Sequence, residues 1–325
     1  MIMSKLMPNT AHNFTPSETP FLHVAVGVIK NTHGDVLISQ RAAHVHQGGL
    51  WEFPGGKVET GESPYQALQR ELLEELNLQV LCAQPLIQVR HHYPDISVLL
   101  DVWLVESFTG NIHGCEGQAI RWVCVDNLQH YAFPAANLPI IQAASMPRCY
   151  AILQEADLPT LQTQLQHLLR QGIGLIQARF KTLSAIQVLD FMAFALPLCK
   201  TYHATLLLNS TTHTPTTPCD GVHFTSADLM RLQERPPFAG RFGASCHNLA
   251  QLQHAQKIGL DFAVLAPVLK TLTHPDAQPL GWENFAHLVV QVNLPVYALG
   301  GVNLADNEMA WHCGGQGIAG IRAFY

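Results

Sequence analysis

Apolar residues between positions 21 and 146 occur as short runs separated by turn residues. The runs at 21–31 and 35–42 flank His33 and Gly34, and this arrangement predicts a β-hairpin. Further apolar runs predict three more strands, at 80–93, 97–108 and 119–125. A closing helix is predicted at 136–144. This part of the chain is therefore predicted to be an α+β domain with a mixed sheet.

A helix is predicted to begin after Ser63, because Ser is a favoured N-cap residue and Pro64 suits the first turn. Leucines four residues apart then form an apolar stripe, at Leu68, Leu72 and Leu76. Glutamates spaced i, i+3 and i+4 share another face, at Glu71, Glu74 and Glu75. Like charges in this spacing repel, so the face is either a solvated acidic surface or the binding site of a cation.

Short apolar runs alternate with helical stretches through the second half of the chain. Eight runs are present, at 148–153, 174–180, 204–210, 221–224, 241–247, 262–268, 295–302 and 317–324. Near-continuous apolar strands separated by amphipathic segments predict a parallel sheet, and eight of them predict a closed (β/α)8 TIM barrel. The chain stops at Tyr325 without a final helix, so completion of the barrel by the other domain or by a second subunit of a homo-oligomer is an open alternative.

The length of 325 residues is enough for two domains, each with its own core. The segment 144–149 is the one boundary that the change of pattern suggests. We therefore expect a flexible tail at 1–20, an α+β domain at 21–146 and the barrel at 147–325.

Composition narrows the classes of function. Apolar residues make up 48% of the chain and charged residues 13%, which is typical of a compact globular protein. The net charge of −6, without a cluster of Lys or Arg, argues against binding to duplex nucleic acid. The absence of any run of about 18 apolar residues argues against a membrane span. Eight cysteines without a C-x-x-C pair predict reduced, mostly buried thiols in a cytoplasmic protein.

A glycine-rich loop precedes the acidic helix, and Gly55, Gly56 and Gly61 permit close approach of the backbone to a phosphate. The segment resembles the Nudix box, whose pattern is a glycine, five residues, a glutamate, seven residues, and then R-E-apolar-x-E-E-x-G-apolar. The matching residues are Gly56, Glu62, Arg70, Glu71, Leu72, Glu74, Glu75 and Leu78. Asn77 replaces the second glycine, and since Asn also adopts the left-handed helix cap, we expect the turn to survive.

The resemblance implies a metal-dependent hydrolase that converts a nucleoside triphosphate and water into the monophosphate and pyrophosphate. It assigns Mg²⁺ or Mn²⁺ to the carbonyl of Gly55 and to the carboxylates of Glu71, Glu74 and Glu75. It further implies that Lys57 contacts phosphate and that Arg70 pairs with a box carboxylate such as Glu62. Two residues compete for the role of general base, Glu116 in a later loop and Glu75 in the helix.

Residues outside the box resemble the MutT-type group, which hydrolyses 8-oxo-dGTP and so cleans the nucleotide pool for DNA replication and repair. The likeness runs through SQRAAHVHQGGLWEFPGG and FPAANLPII to about residue 143. It places Arg41 and Asn137 beside the base and adds Glu52 and Phe53 to the substrate-binding set. Ile96 stands where the group can have Arg, which leaves the base preference open. Hydrolysis of a different pyrophosphate, such as a thiamine-related one, is an alternative that would explain the fusion to the second domain.

Polar residues and glycines gather where the predicted barrel strands end, which is where active sites of such barrels lie. They are Gln177, Arg179, Lys181, Asn209, His223, Asp228, Ser245, His247, Thr271, Thr273, Gly300 and Gly301. The motifs QARFK, DGVHF, GASCH, APVLKTLTH and ALGG resemble those of the thiamine phosphate synthase and TenI-like family. The resemblance covers the whole second half and implies a site for a thiamine-precursor phosphate.

Three positions depart from that family. Ser210 replaces an Asp that helps to hold Mg²⁺ in the synthase, His274 replaces a Lys, and Pro267 replaces the His of the TenI-like tautomerase. Both catalytic sets are therefore incomplete. The barrel is an active synthase, a tautomerase, or a non-catalytic phosphate-ligand sensor or dimerisation module, and His223 and His247 are alternatively structural.

Overall fold

A computed structural model describes residues 21–271 and 278–325 of the chain. The N-terminal domain contains β1 (Leu22–Ile29), β2 (Val36–Gln40), β3 (Trp51–Glu52), β4 (Gly55–Lys57), α1 (Pro64–Leu76), β5 (Gln79–His92), β6 (Ser97–Thr109), β7 (Ile120–Val123) and α2 (Leu138–Ala144). Short 3-10 helices lie at Val125–His130 and Ala135–Asn137. The predicted closing helix is thus present as the 3-10 helix Ala135–Asn137 followed by α2.

Two sheets form the N-terminal domain. The larger has the strand order β4-β1-β6-β5, with β1 and β6 parallel and the other pairs antiparallel, and the smaller has the order β3-β2-β7. The mixed sheet of the predicted α+β domain is confirmed. The predicted β1–β2 hairpin is wrong, because a single bridge between Lys30 and Val36 joins the two strands. A strand has two edges, and β4 and β6 take both edges of β1 while β3 and β7 take those of β2.

Helix α1 has the ends that its sequence predicts. The Ser63 side chain accepts a hydrogen bond from the Gln66 amide, the Gln66 side-chain oxygen accepts one from the Ser63 amide, and Pro64 is the first helical residue. Asn77 closes the helix in the left-handed conformation, with a φ of 51°. The leucine stripe is fully buried, and Leu72 packs over Gly27, where a Cβ would come within 3.0 Å of it. The acidic face is therefore turned away from the core.

The second half is a closed barrel of eight parallel strands. In chain order it contains β8 (Cys149–Gln154), α3 (Leu158–Arg170), β9 (Leu175–Arg179), α4 (Ala185–Thr201), β10 (Thr205–Asn209), β11 (Gly221–Phe224), α5 (Ser226–Leu229), β12 (Arg241–Cys246), α6 (Leu249–Lys257), β13 (Phe262–Leu265), α7 (Gly281–Val289), β14 (Val296–Ala298), α8 (Asn307–His312) and β15 (Gly317–Gly320). Strand β15 pairs with β8, so the barrel closes through its own strands. The alternative in which another domain or subunit completes it is wrong.

Large side chains fill the interior of the barrel. Tyr150, Phe262 and Tyr297 are buried there and their rings meet at centroid distances of 5.2 to 5.7 Å. Leu175 and Leu207 belong to the same cluster, so the inward positions of β9 and β10 alternate with outward ones that pack under the helices. The interior is a packed core, and ligand sites are confined to its ends.

The N-terminal domain packs against the end of the barrel where the strands begin. Asn293, just before β14, accepts a hydrogen bond from the Arg90 amide at 3.0 Å and donates one to the Arg90 carbonyl at 2.8 Å. The Arg148 guanidinium, before β8, donates to the carbonyls of Pro85 and Gln316 and lies 4.8 Å from the Trp311 ring centroid. The opposite end of the barrel, where the strands finish, does not take part in these contacts.

All eight cysteines are free thiols. Only Cys199 and Cys246 are fully buried, whereas Cys82, Cys115 and Cys124 are exposed. The prediction of mostly buried thiols is therefore wrong. The three exposed cysteines lie at outward-facing positions of strands, loops or turns, where neighbouring residues do not cover them. Among residues 21–271 and 278–325, no helix is long and apolar enough to cross a membrane.

Candidate functional site

A cleft of about 440 Å³ opens in the N-terminal domain between β1, β6 and the segment around residue 136. It brings together predicted site residues from four separate stretches of sequence, namely Arg41, Glu52, Phe53, Gly55, Lys57, Glu75 and Asn137. Leu22, Val24 and Val26 of β1 form its apolar floor. An apolar cleft with a few convergent polar groups is typical of a small-molecule site.

Arg41 and Glu52 form an ion pair at the edge of the cleft. Burial raises the pKa of Glu52, and the charge and hydrogen bond of Arg41 oppose that rise. Arg41 also donates from Nε to the carbonyl of His46 at 2.9 Å. The guanidinium therefore joins the strand that carries Glu52 to the loop that follows β2.

Asn137 is buried at the base of the cleft, with 8% of its surface exposed. Its Oδ1 accepts a long hydrogen bond, of 3.4 Å, from the Phe53 amide. Within the described part of the chain its Nδ2 has no hydrogen-bond partner. The Phe53 ring stacks on Phe133 with a centroid distance of 5.7 Å. An amide that is largely unsatisfied beside a fixed aromatic ring can pair with the edge of a nucleobase.

Arg70 connects the glycine-rich loop to the acidic face of α1. Its guanidinium donates to both oxygens of Glu62 at 3.0 Å, to Glu71 at 2.8 Å and to Glu74 at 3.3 Å. It also donates to the Lys57 carbonyl at 2.9 Å. The carboxylates of Glu62 and Glu71 hold the pKa of Arg70 above its ordinary value, with Glu62 as the larger cause. The pairing of Arg70 with Glu62 that the resemblance implies is present.

Glu75 faces the cleft and lacks such a cation. Burial raises its pKa to about 8, and the negative charges of Glu52, Glu71 and Glu116 add to the rise, while a backbone hydrogen bond from Gly55 opposes it. Carboxylates from α1, β3 and a distant loop therefore lie within electrostatic reach of one another. A carboxylate in a cleft whose pKa is raised by burial and by neighbouring charges is a common feature of functional sites.

Gly56 allows the loop to pass directly over the acidic face. A Cβ at this position would overlap the carboxylate of Glu71. The backbone of the loop and the helix carboxylates are therefore close enough to share a ligand. This is the close approach for which the sequence requires glycine.

We tested whether the acidic residues fit the divalent cation that the box implies. The donors are carboxylates and a backbone carbonyl, which are the hard oxygen ligands that Mg²⁺ and Mn²⁺ prefer. In the ranges 21–271 and 278–325, no three His, Cys, Asp or Glu side chains already converge as they would around a bound ion. Arg70 binds one oxygen of Glu71 and one oxygen of Glu74, so it can orient both carboxylates while the other oxygen of each faces a cation. The donor chemistry fits, and the residues that would hold the ion are Gly55, Glu71, Glu74 and Glu75.

Glu116 lies outside the cleft, on an exposed loop. The loop is tied to the end of α1, because the Cys115 amide and the Gln118 side chain both donate to the Glu75 carbonyl, at 2.8 and 3.0 Å. The charge of Glu116 raises the pKa of Glu75, so the two carboxylates lie within electrostatic reach of each other. Both competitors for the role of general base therefore border the same region.

His46 and Tyr93 line the cleft and were not predicted from the sequence. The ring of His46 lies 3.1 Å from a carboxylate oxygen of Asp95 and 5.1 Å from the Tyr93 ring centroid. The Tyr93 hydroxyl accepts a hydrogen bond from the Ala136 amide at 3.2 Å. The aromatic residues before Pro94 were the available signal, but only the pairing of β5 with β6 shows that they reach the cleft.

At the mouth of the barrel, several predicted site residues form hydrogen bonds with residues outside the predicted set. Asn209 accepts hydrogen bonds from Thr211, and Asp228 accepts them from Ser210 and Thr225. Lys181 donates its amide to Glu155. Arg179 is half-buried and its charge reaches His223. Thr273 and His274 lie outside the described residues.

Two histidines at the mouth have structural partners. His223 bonds to the Tyr150 hydroxyl at 3.0 Å and to Ser245 Oγ at 2.9 Å. Burial, with a smaller effect from Arg179, lowers the pKa of His223 to about 3, so its ring stays neutral. His247 bonds to the Ala266 carbonyl at 2.8 Å. These contacts favour the structural alternative for both residues.

Thr271, Gly300 and Gly301 line a separate pocket of about 350 Å³. Lys270, Gly320 and Arg322 complete its wall. Gly300 and Gly301 have φ values of 97° and 71°, so only glycine fits the turn without strain.

Comparison with known proteins gives a separate match for each half. The family model described as NUDIX domain matches residues 25–143, and the model described as Thiamine monophosphate synthase matches residues 149–324. The 8-oxo-dGTP diphosphatase of Escherichia coli (strain K12) is 40% identical over 120 residues, which are 37% of this chain and 93% of that protein. The CTP pyrophosphohydrolase of the same organism is 37% identical over 121 residues, which are 36% of this chain and 87% of that protein.

The barrel has its own relatives. The putative thiamine-phosphate synthase 2 of Aquifex aeolicus (strain VF5) is 34% identical over 187 residues, which are 55% of this chain and 98% of that protein. Both halves thus match nearly the full length of independent proteins.

Proposed function

The chain belongs to the Nudix family through its N-terminal domain and to the thiamine monophosphate synthase family through its barrel, and we propose that the N-terminal domain hydrolyses 8-oxo-dGTP to 8-oxo-dGMP and pyrophosphate. The observation that carries the proposal is that one cleft is lined both by Arg41, Phe53 and Asn137 and by Gly55, Lys57 and Glu75. The first set suits a purine and the second suits a polyphosphate.

The base is bound at the end of the cleft that contains Asn137. Its Nδ2 donates to an acceptor on the purine edge, and the Phe53–Phe133 stack limits the thickness of the pocket. Arg41 holds the loop after β2 through the His46 carbonyl and borders the base on the open side. Recognition by a buried amide discriminates well, since a base without the matching group leaves that amide unpaired.

The triphosphate lies toward α1, with Lys57 as a phosphate contact. Gly55, Glu71, Glu74 and Glu75 would hold Mg²⁺ or Mn²⁺, which when bound neutralises the polyphosphate and lowers the pKa of a bound water. Arg70 orients Glu62 and Glu71 while the loop passes over them. The carboxylate of Glu116 or of Glu75 accepts the proton of the water that attacks the β-phosphorus. The bond from that phosphorus to the α–β bridging oxygen breaks, so 8-oxo-dGMP leaves and the oxygen of the water ends in pyrophosphate.

The test is a hydrolysis screen of the full-length protein with Mg²⁺, using 8-oxo-dGTP, dGTP, CTP and thiamine pyrophosphate, with identification of both products. We expect 8-oxo-dGTP to give the highest kcat/KM and to yield pyrophosphate rather than inorganic phosphate. Glu74→Gln should lower kcat by at least about 100-fold, because a ligand to the cation is lost. Glu283→Gln, on the exposed face of α7, is the matched control and should leave the rate unchanged.

CTP is the second candidate substrate, since Ile96 lines the base end of the cleft and offers no hydrogen bond to a purine. A relative that is 37% identical is named a CTP pyrophosphohydrolase. Higher kcat/KM for CTP or for thiamine pyrophosphate than for 8-oxo-dGTP would contradict the proposed substrate. Unchanged turnover in Glu74→Gln would contradict the proposed site.

A further inference from the structure

The mouth of the barrel carries a carboxylate whose oxygens are already bound by protein donors. Oδ2 of Asp228 accepts hydrogen bonds from Ser210 Oγ at 2.6 Å and from Thr225 Oγ1 at 2.8 Å. Its Oδ1 accepts one from the Arg231 guanidinium at 3.0 Å. The Ser210 hydroxyl is itself engaged, because it accepts a hydrogen bond from the Thr225 amide at 3.1 Å. Asp228 is thus one member of a closed hydrogen-bond cluster.

This cluster does not fit the Mg²⁺ ion that the barrel family implies. A site for Mg²⁺ needs anionic oxygens that are free to face the ion. The strand end that would supply a second carboxylate supplies the hydroxyl of Ser210, and that hydroxyl is committed to Asp228. The Arg231 guanidinium binds the other oxygen of Asp228, so both oxygens of this carboxylate are engaged by protein donors.

The mouth nevertheless retains groups that suit a phosphate. In the pocket of about 350 Å³, the amides of Gly300 and Gly301 donate no hydrogen bond within the described ranges. Lys270 and Arg322 line the same pocket and supply two positive charges. Backbone N–H groups in a turn of this kind, beside cations, form an anion site that needs no metal.

A second group at the mouth points to a ligand. Gln177 is buried, with 1% of its surface exposed, and its Nε2 has no hydrogen-bond partner among residues 21–271 and 278–325. It lies on the same inward face of β9 as Leu175, one layer closer to the mouth. An unpaired buried amide is destabilising, and an acceptor on a ligand would satisfy it.

We propose that the mouth of the barrel binds a phosphate monoester without a divalent cation, and that the Ser210–Asp228 pair takes the place of a metal site. The phosphate is held by the glycine amides, Lys270 and Arg322, and the rest of the ligand accepts a hydrogen bond from Gln177. The barrel is then a binding site for a phosphorylated compound that has already lost, or never carried, a pyrophosphate.

The first test is calorimetric titration of the full-length protein with thiamine monophosphate and with inorganic phosphate, in excess Mg²⁺ and in excess EDTA. The Glu71→Gln, Glu74→Gln double variant serves as the background in every arm, so that the acidic helix does not contribute a metal-dependent signal. We expect the Kd for thiamine monophosphate to agree within about twofold in Mg²⁺ and EDTA. Gln177→Leu and Arg322→Ala should each weaken binding by at least about fivefold.

The second test restores a carboxylate pair. Ser210→Asp places a second carboxylate beside Asp228, and Mg²⁺ should then strengthen the binding of thiamine monophosphate in this variant only. Thr216→Asp adds the same charge at an exposed position of the same loop and is the matched control. The proposal would be overturned if the protein that retains Ser210 bound thiamine monophosphate only in the presence of Mg²⁺, or if it bound the compound in neither buffer. A Ser210→Asp protein with no response to Mg²⁺ would refute the assignment to this pair.

Discussion

At the scale of single residues, Arg70 fixes the positions of carboxylates on the acidic face of α1. Its guanidinium spans Glu62, Glu71 and Glu74 and also reaches the Lys57 carbonyl, so it links the glycine-rich loop to the helix. A planar fork with several donors in fixed directions is required for this, and Lys cannot reproduce it. Glu75 is not bound by Arg70 and faces the cleft. Arg70 therefore orients Glu71 and Glu74, whereas Glu75 is left to contact a ligand.

Arg70→Lys should keep the positive charge but lose the planar arrangement of hydrogen-bond donors. We expect kcat/KM for 8-oxo-dGTP to fall by about 10- to 100-fold, because misplacement of metal-holding carboxylates by a fraction of an ångström is costly. The thermal unfolding midpoint should change little, since the guanidinium is partly exposed to solvent. Steady-state kinetics measure the effect, and Arg170→Lys, at an exposed arginine of α3, is the control. Activity equal to that of the unmodified protein would show that charge alone is sufficient.

A corresponding prediction for recognition of the base concerns Asn137. Asn137→Ala removes an amide whose one side-chain hydrogen bond among the described residues is the long bond of 3.4 Å from the Phe53 amide, so folding should be little affected. We expect kcat/KM for 8-oxo-dGTP to fall by about 10- to 100-fold and the preference over dGTP to shrink. Parallel kinetics on both nucleotides measure this, with Asn127→Ala, at an exposed asparagine, as the control. An unchanged ratio of the two rates would remove Asn137 from base recognition.

At the scale of elements, α1 matters because its ends and its two faces are each fixed by separate residues. The capping box of Ser63 and Gln66 sets its first turn, directly beside Glu62, and the left-handed Asn77 sets its last. The same box recurs at Ser184 and Gln187 at the start of α4 in the barrel. Two equivalent caps therefore lie in front of helices with different roles, and they can be compared directly.

Ser63→Ala and Ser184→Ala should each lower the free energy of unfolding by about 1 kcal/mol, the usual loss for an N-cap. Only Ser63→Ala should also reduce hydrolysis, because the first turn of α1 positions Glu62 and the loop over Glu71. Thermal unfolding and 8-oxo-dGTP kinetics on the pair separate stability from activity. Equal loss of activity in both variants would mean that stability alone limits the rate.

The elements also show which parts of the fold were predictable. Helix α1, its caps and the eight barrel strands follow from local patterns, because side-chain periodicity and capping residues act over a few positions. The β1–β2 hairpin failed, since the choice of strand partner depends on β4 and β6, which lie far apart in sequence. His46 and Tyr93 were missed at the cleft for the same reason, and the Ser210–Asp228 contact could not be derived from motif positions alone.

At the scale of the whole molecule, the two halves place their sites on different surfaces. The N-terminal domain packs against the end of the barrel where strands begin, through Arg90, Arg148 and Asn293. The glycine pocket of the barrel lies at the other end. A ligand released from the cleft therefore does not enter the barrel directly, and any coupling between the sites must pass through the packed interface.

Arg148 is the residue on which that interface should depend. It is buried, which lowers its pKa to about 10, and it joins Pro85 of the first half to Gln316 and Trp311 of the second. Because this side chain and the Arg90–Asn293 pair tie the halves together, we expect the intact protein to unfold in a single thermal transition. Arg148→Ala removes two hydrogen bonds and a cation–π contact together, so the domains should then unfold separately.

Differential scanning calorimetry distinguishes these outcomes, and Arg170→Ala, at an exposed arginine, should retain one transition. In Arg148→Ala, 8-oxo-dGTP should move only the transition of the N-terminal domain upward, whereas thiamine monophosphate should move only that of the barrel. Two transitions in the unmodified protein would show that the interface is too weak to couple the domains. A single transition in Arg148→Ala that both ligands raise would show that the coupling resides in the remaining contacts, with Arg90 and Asn293 as the next residues to replace.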